Sequence, residues 1–388
     1  MAPARAAAAA LLMSALTPLP ARAQWARLAV SVDSLQAKAA RDSLDPVALY
    51  QLGIGYWSIR RYDDAERAFR RSVAVEPRTA AGYLALSFLP YARRPKLWSE
   101  AARGHVPPEL RDAVAESDRY FRRAFMIDPL VDLQIYGLML PRYAAGDRLA
   151  QAILQGFGGF FGGQYQAAYD GFDAVVRSLS DRDREKPGVD VFFWYRGLAA
   201  AHLEEYGTAI HDVRLVLDRV AAAEKTDSIS LFASLRSSEL RYVLAAFEQE
   251  AGQRDSALAH FQAVLTTDMG QYMAHVRMAG IYEFRHEWDK ALEERRRAIA
   301  TNPDDPSLLF DLGFTLARAQ RLPEAREALE RAMAANPLNP RIPYVLGKVE
   351  LAMHDGTARA TLERFLAMAP STLREQVTEA RASLASLP

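Results

Sequence analysis

The sequence contains no cysteine among its 388 residues. A chain without cysteine cannot form disulfides, use a thiol as a nucleophile, bind a metal through thiolates or carry a lipid on a cysteine side chain. All functions and anchoring mechanisms that depend on sulfur chemistry of this kind are therefore excluded.

The sequence also has no excess of charge of either sign. It contains 48 lysine and arginine residues and 48 aspartate and glutamate residues. Removal of an N-terminal leader with Arg5 and Arg22 would leave 46 basic and 48 acidic residues, a net charge of −2. Nucleic-acid-binding proteins carry a basic patch or stripe, so this composition gives no indication of a nucleic-acid partner.

The spaced motifs of common catalytic and cofactor sites are missing as well. The seven histidines show no metal-binding spacing, and His286-Glu287 is followed by Trp-Asp-Lys instead of the zinc-protease pattern. The sequence has no serine-hydrolase elbow and no Walker loop. In the glycine-rich segment Gly156–Gly163, Phe161 stands where a dinucleotide-binding motif needs its third glycine. The sequence predicts no catalytic residue, no cofactor and no metal, and hence no enzyme.

What the sequence does contain is an internal repeat between Tyr272 and Asn339. Residues 272–305 and 306–339 align without a gap as two blocks of 34 residues. A fixed period of this length marks a repeat architecture. Small residues recur at block positions 8, 20 and 27 and proline at position 32, namely Ala279 and Gly313, Ala291 and Ala325, Ala298 and Ala332, and Pro303 and Pro337.

This pattern resembles the tetratricopeptide repeat (TPR) family, whose unit is a helix–turn–helix stacked into a right-handed superhelix. The resemblance implies an all-α solenoid of antiparallel helix pairs, A and B. Small residues at positions 8 and 20 would let the paired helices approach closely, and larger apolar residues at positions 4, 7, 11, 17 and 24 would fill the seam. Proline at position 32 would end helix B. Because one pair cannot bury its apolar face alone, several pairs have to stack. Residues 46–79 fit the same pattern, with Ser72 at position 27 as a mild departure.

The repeats divide the chain into a leader, about eight units and two capping helices. Residues 1–23 are predicted to be a signal peptide cut between Ala23 and Gln24, because a positive start precedes a short apolar run and Ala-Arg-Ala. The alternatives are a disordered tail or an uncleaved helix. A cleaved leader indicates an exported protein, periplasmic or secreted, and no later stretch is long and apolar enough to span a bilayer. The remaining predicted segments are a capping helix at 24–45, N-terminal repeats at 46–182, C-terminal repeats at 183–370 and a second capping helix at 371–388.

The period breaks in the N-terminal half. Helices Ala80–Phe88 and Asp112–Ile127 are separated by a proline-rich insertion at 89–110, which is either a tolerated surface loop or a functional one. Residues 130–148 predict a short helix or an irregular connector. The segment Gly156–Gly163 predicts a loosened helix end with glycines at the turn between helices A and B. Since each glycine inside a helix costs about 1 kcal/mol relative to alanine, this repeat is expected to be the weakest.

The TPR resemblance also implies where a partner binds. In this family helix A lines the concave face, so positions 2, 5, 9, 12 and 13 would face a groove. Aromatic residues recur at position 5, and aromatic and arginine residues dominate protein-binding hot spots. The alternative is that these rings pack as core between neighbouring A helices. The predicted partner-binding residues are Tyr50, Trp57, Trp194, His202, Tyr242, Phe284, Phe310, Phe314, Arg318 and Tyr344.

The sequence thus predicts a non-enzymatic, exported scaffold that binds a protein or peptide in its concave groove, in the assembly or organisation of the cell envelope. The alternative is a carbohydrate- or lipid-binding envelope protein that uses the same aromatic groove, because aromatic rings stack on sugar faces. An enzyme or its accessory subunit would need an acid, base or metal cluster at 89–110 or at the glycine-rich segment. Neither the partner nor the oligomeric state is indicated by the sequence.

Overall fold

The computed structural model describes residues 32–94, 97, 106–131, 148–185, 188–225, 235–268 and 270–387. Within these ranges the regular elements are nineteen α-helices and two short 3-10 helices. The α-helices are α1 Val32–Arg41, α2 Pro46–Ser58, α3 Tyr62–Val75, α4 Ala80–Arg93, α5 Arg111–Ile127, α6 Arg148–Phe161, α7 Tyr165–Ser178, α8 Asp181–Arg184, α9 Asp190–His202, α10 Tyr206–Lys225, α11 Ser237–Glu250, α12 Arg254–Thr267, α13 Tyr272–Phe284, α14 Trp288–Thr301, α15 Ser307–Arg318, α16 Leu322–Ala335, α17 Arg341–Ala352, α18 Ala358–Met368 and α19 Arg374–Ser386.

Sixteen of these helices form eight consecutive pairs. The pairs are α2/α3, α4/α5, α6/α7, α9/α10, α11/α12, α13/α14, α15/α16 and α17/α18. Helix α1 lies inside the predicted N-terminal capping segment, and α19 follows the last pair. Ala380 of α19 is buried in one cluster with Leu362 and Phe365 of α18, so α19 packs against the last pair. The all-α fold of paired helices, with about eight repeats and capping helices, is confirmed.

Seven of the pairs are joined by the same left-handed turn. The backbone φ angle is positive at block position 15 in each, at Arg60, Gly163, Glu204, Gly252, His286, Gln320 and His354. The next residue donates its backbone N–H to the carbonyl five residues earlier, as from Arg61 to Tyr56 and from Arg321 to Leu316, both at 2.9 Å. This bond satisfies carbonyls at the end of helix A. A non-glycine residue in this left-handed conformation raises the conformational free energy by about 1–2 kcal/mol. The hydrogen bonds and packing of the turn have to offset this cost.

The described residues group into two compact units. Unit 1 lies between Ser87 and Asp268, and unit 2 combines Val30–Leu86 with Met269–Pro388. This grouping differs from the sequence-based division at residues 182 and 183, which stays a prediction.

Unit 2 is held together by contacts between its two chain segments. Ser371 donates its hydroxyl to Asp42 at 2.9 Å, and the Asn336 amide donates to the Val75 carbonyl at 3.3 Å. Arg78, three residues beyond the end of α3, forms an ion pair with Asp311 of α15. These contacts join residues that are 233, 261 and 329 positions apart in the chain. A repeat period describes neighbouring units and therefore does not predict them.

The insertion is shorter than predicted, because α4 continues to Arg93 beyond the expected end at Phe88. Pro90 lies inside this helix, and an internal proline costs about 3 kcal/mol. Leu89 and Tyr91 are buried, and burial of each such side chain contributes roughly 1.5–3 kcal/mol, so packing offsets the loss of one backbone hydrogen bond. Helix α5 begins at Arg111, one residue before the predicted start.

The prediction of a loosened helix at the glycine-rich segment is wrong, while the predicted glycine turn is present at Gly163. Helix α6 runs to Phe161. A Cβ atom on Gly159 would lie 2.6 Å from the Ala168 nitrogen, and one on Gly171 would lie 2.4 Å from the Gly156 nitrogen. The glycines therefore let α6 and α7 pack backbone against backbone. The expectation that this repeat is the weakest stays a prediction.

Some predicted segments lie outside the described residues, namely the leader at 1–23 and positions 132–147 of the irregular segment. Across the ranges that are described, no helix combines the length and the apolar character needed to cross a bilayer.

Candidate partner-binding surface

Block positions 5, 9 and 13 are four residues apart and so lie on one face of helix A. In unit 2 the residues at these positions are exposed or half-buried on α2, α13, α15 and α17. The exposed fraction is 63% for Phe284 and 41% for Phe314. We call the six residues on α13 and α15 the aromatic surface; they are Val276, Gly280, Phe284, Phe310, Phe314 and Arg318.

Buried Glu283 links the two helices of the aromatic surface. Its carboxylate accepts hydrogen bonds from the Thr315 hydroxyl at 2.6 Å and from Arg318 at 2.9 Å. Glu283 precedes Phe284 and Thr315 follows Phe314 in the chain, so these contacts bring the two exposed rings onto neighbouring ridges. The Phe310 and Phe314 rings stack with their centroids 6.2 Å apart.

A buried ionic network lies beneath this surface. Arg295 of α14 is only 8% exposed, and it pairs with Glu283 at 2.7 Å and with Asp311 at 3.1 Å. Asp311 also pairs with Arg78. Arg295 occupies block position 24, so the expectation of an apolar residue there is wrong for this repeat. Because loss of one partner from a buried pair costs about 3–5 kcal/mol, the network holds the two helices in a defined arrangement.

Arg318 forms the charged edge of the aromatic surface. Its guanidinium carbon lies 5.3 Å from the centroid of the Trp288 ring, and its Nη1 donates to Glu283 at 2.9 Å. The side chain is 43% exposed, and a guanidinium has five N–H donors. Donors that Glu283 does not occupy are therefore accessible to a carboxylate from a partner.

Gly280 leaves a gap in the ridge formed by Val276 and Phe284. A Cβ atom built on Gly280 would meet no atom within 4 Å. The gap is thus open and has apolar neighbours four residues before and after it. A single apolar side chain from a partner could occupy this space at van der Waals distance.

Two of the same positions on α17 contact the capping helix α19. Tyr344 and Lys348 both donate to Glu379 of α19. Burial and the hydrogen bond to Glu379 raise the pKa of Tyr344 to about 12, while the bonds from Lys348 and Tyr344 lower the pKa of Glu379. Tyr344 is therefore engaged by the chain itself.

In unit 1, block positions 5 and 9 of α9 and α11 are buried, whereas position 13 is half-buried at His202 and exposed at Glu250. Tyr242 of α11 is completely buried, and its hydroxyl donates to the Met126 carbonyl at the end of α5 at 2.6 Å. Arg122 of α5 pairs with Glu239 of α11 at 2.6 Å. Helix α5 thus lies against the face of α11 that carries block positions 2 and 5.

Among the predicted partner-binding residues, Trp57, Trp194 and Tyr242 are buried. The Trp57 ring packs against Tyr62 and Phe69, with centroids 6.0 and 6.3 Å apart. For these three residues the structure favours the alternative of core packing, because a buried ring offers no surface to a ligand.

Two further predicted residues are half-buried and stacked within their units. The His202 imidazole stacks on Tyr165 with the centroids 3.7 Å apart, and burial lowers its pKa to about 4. The centroids of the Tyr50 and Phe69 rings are 5.7 Å apart. A binding role for Tyr50, His202, Phe284, Phe310, Phe314, Arg318 and Tyr344 stays a prediction.

The sequence-based prediction did not include Gly280 of this surface, nor Glu283 and Trp288, which contact Arg318 and lie outside the surface as defined. Gly280 occupies block position 9, the same position as Phe314, so the repeat phase alone was sufficient to find it. Glu283 and Trp288 act through contacts with the next repeat, and neither has a sequence signal. In the described part of the chain no group of three histidine, aspartate or glutamate side chains is placed to hold a metal ion.

Family models described as tetratricopeptide repeat match residues 48–81 and 287–349. The first match covers α2 and α3, and the second includes α15 and α16. A comparison with curated proteins finds no significant match.

Several solved structures of TPR proteins are similar at low identity. The C-terminal part of a TPR protein from Cytophaga hutchinsonii has 13% identity and a TM-score of 0.46, over 61% of this chain and 86% of that one. A thermophilic TPR protein from Thermus thermophilus has 17% identity and a TM-score of 0.35, over 50% and 99%. Yeast Tom70 has 13% identity and a TM-score of 0.35, over 91% of both chains. Both family matches fall on helix pairs, so the chain contains tetratricopeptide repeats within residues 48–81 and 287–349.

Proposed function

We propose that this scaffold binds a protein or peptide partner through the aromatic surface of unit 2. The observation that carries the proposal is the exposure of Phe284 and Phe314 on neighbouring helices, beside Arg318 and above a buried ionic network. Exposed apolar groups that adjoin one another mark interaction sites. Aromatic and arginine residues supply most of the energy in such interfaces.

The contribution of each phenylalanine ring to the binding free energy follows from the burial of its apolar side chain. Burial of an exposed phenylalanine side chain contributes roughly 1.5–3 kcal/mol. Since 1.4 kcal/mol corresponds to a factor of ten in Kd, replacement of either Phe284 or Phe314 by serine should weaken binding about tenfold or more. The network beneath keeps the ridges in place, so little binding energy is spent on ordering them.

The test is selection of random peptides displayed on phage against the whole chain. Enriched peptides are synthesised, and their Kd values are measured for the wild type and for Phe284→Ser and Phe314→Ser. The matched control is Leu149→Ser, which removes a side chain of similar exposure (46%) from unit 1. Weakened binding in the two phenylalanine variants alone supports the proposal, and equal affinity in all four proteins would refute it.

The alternative partner class, a carbohydrate or lipid, would contact the same rings. Exposed phenylalanine has no polar atom to orient sugar hydroxyls, whereas small-molecule sites need placed polar groups for orientation. This difference favours a peptide. Glycan arrays and phospholipid vesicles probed with the same variants decide between the two partner classes. If the protein binds a glycan or a vesicle but no peptide, and if Phe314→Ser abolishes that binding, the carbohydrate or lipid partner replaces the peptide.

We also propose that the protein is exported and acts in the cell envelope as a non-enzymatic scaffold. The support is the N-terminal sequence, in which a short apolar run precedes Ala21-Arg22-Ala23. Expression of the whole chain in a Gram-negative bacterium, followed by fractionation and N-terminal sequencing, should recover a periplasmic protein that begins at Gln24. Recovery of cytoplasmic protein with residues 1–23 intact would contradict export.

A further inference from the structure

We infer that the partner segment on the aromatic surface is an amphipathic helix that carries a carboxylate, an inference that rests on the proposed function. The chain itself contains the precedent. In unit 1, block positions 2 and 5 of the A helix α11 contact another helix, α5, instead of an extended segment.

The contact in unit 1 shows how a helix fits this face. Arg122 and Met126 are four residues apart and so lie on one face of α5. They contact Glu239 and Tyr242, which are three residues apart on α11, through an ion pair and a hydrogen bond of 2.6 Å each. Helix α5 therefore contacts α11 through a side-chain charge opposite in sign to Glu239 and through a backbone carbonyl near its C-terminal end.

The aromatic surface of unit 2 offers a helix the same register. Along each ridge, residues four apart are spaced by about 6 Å, and side chains on one face of a partner helix have the same spacing. The gap at Gly280 is a hole between Val276 and Phe284. A helical partner would place one apolar side chain in this hole, as a knob enters a hole in helix packing, and would lay the next turn against Phe314.

The charge on the partner helix follows from the residues at its edge. In unit 1 the accepting helix is acidic at block position 2, where Glu239 binds an arginine. In unit 2 the corresponding residues are Met273, Ser307 and Arg341, and the exposed charge beside the rings is Arg318. The partner helix therefore carries an aspartate or glutamate within one or two turns of its apolar anchor, in position to bind the accessible donors of Arg318.

Two display libraries test the helical form of the partner. One consists of 17-residue alanine- and lysine-rich helices randomised on one face, and the other is the same library with a central proline that prevents a continuous helix. Both are selected on the whole chain. The helical library should yield binders that require Phe314 and contain a carboxylate, and the proline library should yield none of comparable affinity.

The variant Gly280→Leu tests the hole directly. It should weaken binding of the selected helices at least tenfold while raising the thermal midpoint, since glycine destabilises a helix. The matched control is Gly207→Leu, a helical glycine of α10 whose Cβ would also meet no atom within 4 Å; it should leave binding unchanged. Arg318→Gln should weaken peptides with the carboxylate at least fivefold and peptides without it by less than twofold.

The outcomes separate the two proposals. Binders that require Phe314 but come only from the proline library would overturn the helical partner and leave the proposed function standing. Helical binders that tolerate Gly280→Leu would overturn the assignment of the hole. Binders indifferent to Phe284, Phe314 and Gly280, or no binders from either library, would overturn both.

Discussion

Acidification should destabilise unit 1 through the burial of His202. Burial lowers the pKa of this imidazole from 6.5 to about 4, against the opposing effect of Asp128. In the folded chain the ring is therefore neutral down to about pH 4, whereas in the unfolded chain it takes up a proton near pH 6.5. The unfolded state binds more protons between these values, so the stability is complete above pH 6.5 and is lost as the pH falls towards 4.

The size of the effect follows from the two pKa values. A shift of one pKa unit corresponds to 1.36 kcal/mol, so the pair of values gives a loss of about 2 kcal/mol in unfolding free energy between pH 7 and pH 5. Because the ring is half-buried, solvent screening makes this an upper value. The variant His202→Phe keeps a ring stacked on Tyr165 and removes the titrating group.

Hydrogen exchange of the backbone amides in α9 and α10, corrected for the intrinsic effect of pH, measures this loss locally. The opening free energy of the wild type should fall by up to about 2 kcal/mol more than that of His202→Phe between pH 7 and pH 5. An NMR titration of the His202 imidazole should have its midpoint near 4. An equal fall in both proteins, or a midpoint near 6.5, would refute the reasoning.

Three further stability predictions follow from unit 2 and from the glycines. Arg78→Met leaves Asp311 without one buried partner and should lower the free energy of unfolding in urea by about 2–4 kcal/mol. The double variant with Asp311→Leu should recover at least half of this loss. If it recovers none, the ion pair is not the cause of the loss. Gln320→Gly should stabilise the chain by about 1 kcal/mol by relieving the left-handed backbone, and a lower urea midpoint would contradict that strain. Gly171→Ala should lower the free energy of unfolding by about 1–3 kcal/mol through overpacking. The control Gly158→Ala, whose Cβ meets nothing within 4 Å, should not lower the thermal midpoint. Equal effects of the two variants would refute the close approach of α6 and α7.

The sequence is informative wherever structure depends on one repeat and its immediate neighbour. The period of 34 residues places both helices of each regular pair, and the turn at block position 15 recurs with it. Small residues at fixed positions reflect a local requirement, as at Gly313, where a Cβ atom would lie 2.6 Å from Leu329. Requirements of this kind repeat with the period, and for that reason a pattern reveals them.

Departures from the pattern depend on compensation that has no fixed spacing. Pro90 is tolerated inside α4 because its neighbours are buried, and Arg295 is tolerated in the seam because Glu283 and Asp311 pair with it. Each departure reads as an error in the pattern until its partners are known. The partners Glu283 and Asp311 are separated from Arg295 by 12 and 16 residues along the chain. The repeat pattern requires no charged residue at these separations.

The limit is clearest at the positions that decide function. Tyr242 and Phe314 both lie on the A-helix face that the family resemblance assigns to the groove, yet the first is completely buried and the second is 41% exposed. The Tyr242 ring packs against Phe261 of its own repeat, and α5 contacts its hydroxyl from a position 116 residues earlier in the chain. An aromatic residue in this register is therefore a core residue where its own repeat and a distant helix pack against it and a surface residue where they do not. The repeat phase identifies the face on which a helix can bind, and only contacts between distant segments determine whether that helix comes from the same chain.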